Sequence, residues 1–372
     1  MHKEFSEEAQ YRVVLPTEEN SLWMQRSGEG ASANGLSGLN MLTHPFVQLL
    51  VTVVLASSLT GVFTWYARRR GMLDIPYERH SHTVPTPRGG GAGIVAALVI
   101  VTLLLSRESA VMTYWSHCLL PGFVVLSLVG WRDDRVSLSA SLRFAVQLMV
   151  SFYLLWCFRN HGSTAGLLSL LAAGIYLLWM TNLYNFMDGS NGMAGFQGVF
   201  AGLMMAWLYY AAGDVEAALI SSLLAGACVG FLPWNLGSAR VFMGDVASGS
   251  LGFAFAALLI YGVFNGSFAV PVAWMVMLVF MVDSTLTLIN RVLKGEQWYN
   301  PHKQHLYQRL IIRGWSHGRV LLLYQLINLL LVAPAIAVAV NYPVSATVVA
   351  SAITLALGLS WSLAIQKIGV LA

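Results

Sequence analysis

The sequence predicts an all-α, polytopic integral membrane protein of about eleven transmembrane helices, with its N-terminus outside and its C-terminus in the cytoplasm. Three observations carry that expectation. Of 372 residues, 57% are hydrophobic and only 10% are charged, a composition that an ordinary soluble domain does not have. The apolar residues fall into runs of about 20, the length of helix that crosses the hydrocarbon core of a bilayer. The basic residues gather in alternate connecting segments.

Taken in order, residues 1–40 are polar, rich in Ser, Gly and Glu, and lack the apolar stretch of a signal peptide. They read as a disordered extension, and Met41, just ahead of the first apolar run, is a candidate physiological start. Residues 41–372 read as a single transmembrane domain. Its spans are expected near 46–67, 89–106, 111–130, 139–157, 167–186, 193–212, 217–236, 246–264, 268–290, 320–340 and 343–366. One set of loops holds Arg68, Arg69, Arg70, Arg88, Arg132, Arg135, Arg240 and the basic cluster from Arg291 to Arg319; the other holds only Arg107 and Arg159. The positive-inside rule makes the first set cytoplasmic. The loops 68–88, 131–138, 187–192, 237–245 and 291–319 then bring acidic and basic groups to one face, at the depth of the lipid headgroups.

The net charge of +4 is modest and gives no reason to expect a nucleic-acid partner. Cys118, Cys157 and Cys228 lie inside apolar runs at no metal-ligand spacing, so neither a disulfide framework nor a zinc site is indicated.

The most informative stretch is Asn182 to Gly195, N-L-Y-N-F-M-D-G-S-N-G-M-A-G, where an apolar helix leaves the bilayer. Asn182, Asn185 and Asp188 are three apart and share a helical face. No Lys or Arg lies between Arg159 and Arg240, so Asp188 needs a cation or a basic group from elsewhere in the fold. The pair Asp133-Asp134 sits at another helix exit; it reads either as a solvated salt-bridged loop or as neighbouring carboxylates that raise each other's pKa or share a metal. Asp245, in V-F-M-G-D-V-A-S-G-S, is either an N-cap or a ligand for Mg2+, which takes one or two carboxylates plus substrate phosphate oxygens; Asn235 can add an amide contact.

Asp283 falls inside an apolar run about two turns before Arg291, and intramembrane carboxylates are costly enough to need a function or a structural partner. Both are secondary candidates. His302, His305 and Arg309 lie in N-P-H-K-Q-H-L-Y-Q-R-L, suited to holding phosphate, with a plain basic surface loop as the alternative. Arg88 precedes a glycine run that opens a helix, so free N–H groups beside it would favour an anion. His80 and His82 read as surface residues.

Five ordered elements now stand out: D-I-P-Y-E-R-H-S-H-T-V-P-T-P-R-G-G-G, Asp133-Asp134, N-L-Y-N-F-M-D-G, V-F-M-G-D and the His302 segment. In these the chain resembles the polyprenyl-phosphate N-acetylhexosamine-1-phosphate transferases, which include the initiators of O-antigen and enterobacterial common antigen and, more distantly, phospho-MurNAc-pentapeptide translocase. The translocase has three consecutive histidines where this chain has H-K-Q-H, which disfavours a MurNAc-pentapeptide substrate.

The resemblance implies transfer of a sugar-1-phosphate from a UDP-N-acetylaminosugar to undecaprenyl phosphate, giving UMP, with Mg2+ (or Mn2+) as cofactor, in the bacterial inner membrane and with a homodimer by analogy. Asp245 and Asp188 would hold the metal. Asp133 would either deprotonate the acceptor phosphate or attack the donor, and Asp134 and Asp188 complete the catalytic set. Arg88, Asn182, Asn185, Asn235, His302, His305 and Arg309 would bind substrates. The competing reading is a transporter or flippase for a phosphorylated or lipid-linked sugar, against which stand the clustering of polar groups at one face and the lack of an internal repeat. The donor sugar is not legible.

Overall fold

A computed structural model describes residues 44–74, 85–107, 109–297 and 302–369. The chain divides into Met1–His44 and Pro45–Ala372, and every element below belongs to the second unit. The expected extension, the candidate start at Met41, and His80 and His82 lie outside the described residues.

The described chain is almost wholly helical. In order it runs α1 (Pro45–Arg69), β1 (Leu73–Asp74), β2 (Thr86–Pro87), α2 (Ala92–Leu105), α3 (Ala110–Cys118), α4 (Leu120–Asp133), α5 (Ala140–Asn160), α6 (Leu167–Met187), α7 (Met193–Ala211) and α8 (Val215–Asn235). It continues through α9 (Asp245–Phe264), α10 (Val270–Val276), α11 (Leu278–Leu293), α12 (Leu306–Ile312) and α13 (His317–Ile327). A π-helical turn (Asn328–Val332), α14 (Ala333–Asn341), a 3-10 turn (Pro343–Ser345) and α15 (Ala346–Ile368) complete it.

Among the described residues, eight helical stretches are long and apolar enough to cross a membrane: α1, α3 with α4, α5, α6, α8, α9, Ala333–Asn341 together with its lead-in from His317, and Pro343–Ile368. The remaining three expected spans have helices of another kind. α2 is only 14 residues long. α7 is long enough but carries Gln197, three glycines and three polar-edged aromatic residues. The expected span 268–290 is a pair, α10 and α11, bent by 80° at Met277. Residues 272–282, on either side of the break, are all apolar and include no Gly or Pro, so the sequence contains no signal for it. The two-residue antiparallel pairing of Leu73 with Pro87 and Asp74 with Thr86 is a small departure from an all-α fold.

Helix α9 is the centre of the bundle. Of its apolar window 83% is buried inside the protein, against 11% for Pro343–Ile368. It packs against α4 and α6, while α8 packs against α1 and α7. Small residues permit the close crossings, as is usual where helices pack in a membrane. A Cβ on Gly252 would strike the Met180 carbonyl on α6, and one on Gly130 of α4 would strike the Asp245 carbonyl at the start of α9. The ends of α4, α6 and α9 are thereby drawn together, and with them the polar residues at those ends.

Candidate active site

The site is assembled around the start of α9. Residues 87–91 lie alongside 242–243: the Phe242 N–H donates to the Pro87 carbonyl (2.8 Å), and Gly90 and Gly91 donate to the carbonyls of Phe242 (2.9 Å) and Met243 (3.0 Å). A Cβ on Gly90 would sit 2.6 Å from Val241, so glycine is needed for this approach. These bonds correct one expectation: the N–H groups of Gly90 and Gly91 are occupied and do not form an anion site beside Arg88. What they do is hold the Arg88 side chain over the α9 terminus.

There Arg88 makes two ion pairs, Nε to Asp134 Oδ1 at 2.7 Å and Nη2 to Asp245 Oδ1 at 2.9 Å. Asp245 is not the N-cap; that position is Gly244, with φ 77 and ψ 169. The capping is done from α4. Asp134, whose side chain is fully buried, accepts the N–H groups of Asp245 (3.0 Å) and Val246 (3.2 Å). These are two of the unsatisfied donors that every helix start presents, and a carboxylate there also meets the positive end of the helix dipole. A Cβ on Gly244 would lie 2.5 Å from the Asp134 carboxylate, which with its positive φ explains glycine at that position.

A cavity of about 760 Å3 opens in front of this pair. Of the expected site residues, Arg88, Asn185, Asp188, Asn235 and Asp245 line it. Asn185 Nδ2 donates to Ser248 Oγ on α9 at 2.8 Å. Asn235 is structural as well as cavity-lining, accepting the Gly192 N–H (2.6 Å) and donating to the Val241 carbonyl (3.0 Å). Asp188 lies just past the end of α6, and Arg88 is the basic group from elsewhere that its sequence context required. Burial, and then the negative charge of Asp245, push the Asp188 carboxyl well above the usual range, with Arg88 pulling the other way. Burial likewise pushes Asp134 up to about 6 against the pull of Arg88.

The other expected residues sit elsewhere. Asp133 is held by Arg143 Nη1 (2.9 Å) and the Leu138 N–H (2.6 Å), within electrostatic reach of Asp245. Asn182 turns toward α5, exchanging hydrogen bonds with Gln147 and donating to the Leu178 carbonyl (2.7 Å). Its three-residue spacing from Asn185 therefore does not bring the two amides to one ligand.

Asp283 is a buried acceptor for Leu306 N–H (2.7 Å), Tyr307 N–H (3.3 Å), Tyr324 OH (2.7 Å) and Trp361 Nε1–H (3.0 Å). It thus anchors the first turn of α12. Arg291 pairs with Glu296 (2.8 Å) and the Gln297 carbonyl (2.8 Å). Arg309 donates to the carbonyls of Gln304 (2.8 Å) and Gly369 (3.2 Å). The rings of His302 and His305 are 4.9 Å apart, and that of His305 stacks against Phe186 and Tyr307. Burial lowers both imidazoles, His302 to about 3, with Arg291 and Arg309 acting the same way and Asp283 opposing them at His305. His305 caps α12, Arg309 is part of it, and neither they nor His302 line the cavity.

Asp74, Tyr307 and Gln308 do line it and were not singled out from sequence, and Lys303, within the segment expected to hold phosphate, lines it as well. A signal existed: Tyr307, Gln308, Ile311 and Ile312 recur at the spacing of one helix face. Tyr307 OH donates to the Phe186 carbonyl (2.9 Å) and lies against Gly189, so α12 supports the Asp188 turn directly.

Among the described residues no three His, Cys, Asp or Glu side chains are grouped to hold a metal by themselves. The donor set suits a different arrangement. Asp188 and Asp245 line one cavity and share the single Arg88 guanidinium with Asp134, so three carboxylates meet one cation, which fits a hard cation that takes two carboxylates and completes its shell with substrate phosphate and water.

Residues 116–263 match glycosyl transferase family 4. The chain is 32% identical over 318 residues to the decaprenyl-phosphate N-acetylglucosaminephosphotransferase of Mycobacterium tuberculosis, covering 74% of this chain and 78% of that one. It is 25% identical over 307 residues to a probable undecaprenyl-phosphate N-acetylglucosaminyl 1-phosphate transferase of Bacillus subtilis, covering 78% and 83%. With the phospho-N-acetylmuramoyl-pentapeptide-transferase of a Geobacillus species it shares 26% over 319 residues, covering 78% and 95%. The chain belongs to the polyprenyl-phosphate N-acetylhexosamine-1-phosphate transferase family.

Proposed function

We propose that this protein transfers an N-acetylaminosugar-1-phosphate from a UDP-sugar to undecaprenyl phosphate, releasing UMP and initiating a cell-surface polysaccharide such as O-antigen. The acceptor phosphate oxygen bonds to the sugar-bearing phosphorus of the donor, and the bond from that phosphorus to the bridging oxygen breaks, leaving with UMP. Both substrates are anions, so catalysis is chiefly positioning and charge neutralisation. The observation that carries the reading is the cavity in which Asp188 and Asp245 face each other's charge beside Arg88.

Arg88 and Lys303 are the cations at that cavity and would hold phosphate oxygens. Asp188 and Asp245 would hold Mg2+, with Mn2+ as the alternative ion, which supplies charge neutralisation of the diphosphate. Asn185 is placed to orient the nucleotide or sugar. Asp133 is the proposed base toward the acceptor phosphate, and Asp134 keeps Arg88 and the α9 terminus in register. His302, His305 and Arg309 act by holding the start of α12, whose residues Tyr307 and Gln308 line the cavity. The working face is proposed to be cytoplasmic, in a bacterial inner membrane, with the chain as a homodimer. The H-K-Q-H spelling favours an N-acetylaminosugar donor over a MurNAc-pentapeptide.

The test is UMP release by purified protein from a panel of UDP-N-acetylaminosugars, with and without undecaprenyl phosphate and Mg2+. UMP is expected only when lipid acceptor and metal are both present, and Asp245→Asn should abolish it. UMP release without acceptor, or full activity in that variant, would overturn the proposal.

A further inference from the structure

Around the C-terminal end of α1 the structure places four guanidinium groups over aromatic rings. Arg69 lies 4.2 Å from the Trp65 ring, Arg70 5.7 Å from Tyr66, Arg135 4.4 Å from Trp131 and Arg240 5.9 Å from Trp234. They come from three chain segments, at the ends of three of the membrane-crossing helices. Packing brings them together on α1. Trp131 meets Phe63 edge-on at 5.8 Å, the Trp234 Nε1–H donates to Ser57 Oγ at 3.1 Å, and Arg68 donates to the Arg240 carbonyl at 3.5 Å. All four arginines are exposed, as is Arg68, and among the described residues none pairs with a carboxylate. None of them lines the substrate cavity.

We infer that this collar is a binding site for the anionic headgroups of bilayer phospholipids, of the phosphatidylglycerol type. A ring beneath each guanidinium fixes its plane and leaves the N–H fork free for a phosphate diester, a geometry that lysine cannot reproduce. Tryptophan at helix ends sits at headgroup depth, which puts the forks at the level of lipid phosphates and away from a bulk-phase ligand. Five cations with no carboxylate partner among the described residues, gathered from three neighbouring helix ends, supply the charge complementarity. The collar stands apart from the transferase reading, since it uses none of that site's residues.

The test uses the full chain in nanodiscs of equal parts phosphatidylcholine and phosphatidylglycerol, with retained lipids counted by native mass spectrometry after delipidation. The wild type should retain phosphatidylglycerol selectively. Replacing Arg69, Arg135 and Arg240 together by Gln should reduce that retention by roughly a hundredfold, at about 1 kcal/mol for each cation near the surface. The charge-matched control Arg107→Gln, Arg159→Gln and Lys367→Gln should leave it unchanged. If the triple collar variant fails to fold, the single substitutions Arg69→Gln and Arg135→Gln, both on exposed groups, are read the same way. Equal retention of the two lipids by the wild type, unchanged retention in the collar variants, or an equal loss in the control overturns the inference.

Discussion

Asp134 accepts the backbone N–H of Asp245 at 3.0 Å, joining two residues 111 positions apart. With the second bond to Val246 and the ion pair to Arg88, this one buried carboxylate fixes the start of α9, the cavity and its principal cation.

The first prediction separates the two carboxylates at the end of α4. Asp134→Ala removes a helix cap and should lower stability by about 1–2 kcal/mol, together with activity, because Arg88 loses its anchor. Asp133→Asn keeps an acceptor for the Leu138 N–H and should preserve stability while lowering kcat by roughly 10²–10⁴ if it is the base. Melting temperature and UMP release, measured on both variants, check this pairing. An Asp133→Asn enzyme with wild-type kcat would remove Asp133 from the mechanism.

Acid pH should act on activity and stability in opposite directions. Asp134 rises from the ordinary 3.8 to about 6, and burial and the Asp245 charge raise Asp188 well above the usual carboxylate range. Activity that needs them ionised should therefore climb through an acid limb near pH 6 or above, seen in kcat/KM. For stability the sign reverses: a carboxyl raised in the folded state binds its proton more tightly there than in the unfolded chain. The Asp134 contribution is complete below about 3.8 and is lost as the pH rises through about 6, so the melting temperature should fall across that window.

Gly130→Ala should be severe for its size. The added methyl would meet the Asp245 carbonyl, which is backbone at a helix start and has no rotamer by which to move aside. Overpacking of this kind costs about 1–3 kcal/mol. The displacement falls on the Asp134 to Asp245 contact, so UMP release should drop more than the melting temperature does. Gly174→Ala on α6, where the nearest atom is a leucine methyl at 3.6 Å, is the matched control and should be near neutral.

Asp283→Ala should destabilise the protein by about 2–4 kcal/mol, because several buried donors lose their acceptor at once. Asp283→Asn keeps acceptor capacity and should cost less. Limited proteolysis at α12 is the measurement, since its first turn is held through the Leu306 and Tyr307 N–H groups. Equal protection in wild type and Asp283→Ala would show that α12 is anchored by something else.

Much of this protein was legible from sequence. A helix that crosses a bilayer must be about 20 residues of apolar side chains, and eight of the eleven expected spans coincide, among the described residues, with helical stretches long and apolar enough to cross. The site was legible to the extent that charge is costly at membrane depth: Arg88, Asp188 and Asp245 stood out because so few charged residues interrupt those runs. The 80° break at Met277 was not legible, because α10 and α11 are apolar on both sides of it and only the packing around them determines the bend. Nor was the division of labour between similar residues. Asn182 and Asn185 are alike in type and spacing, yet one meets Gln147 on α5 and the other Ser248 on α9. Composition and spacing set which groups reach the membrane face; the crossing of α4, α6 and α9, made close by Gly130 and Gly252, decides which of those groups meet, because hydrogen bonds and ion pairs act over about 3 Å and sequence separation carries no information at that range.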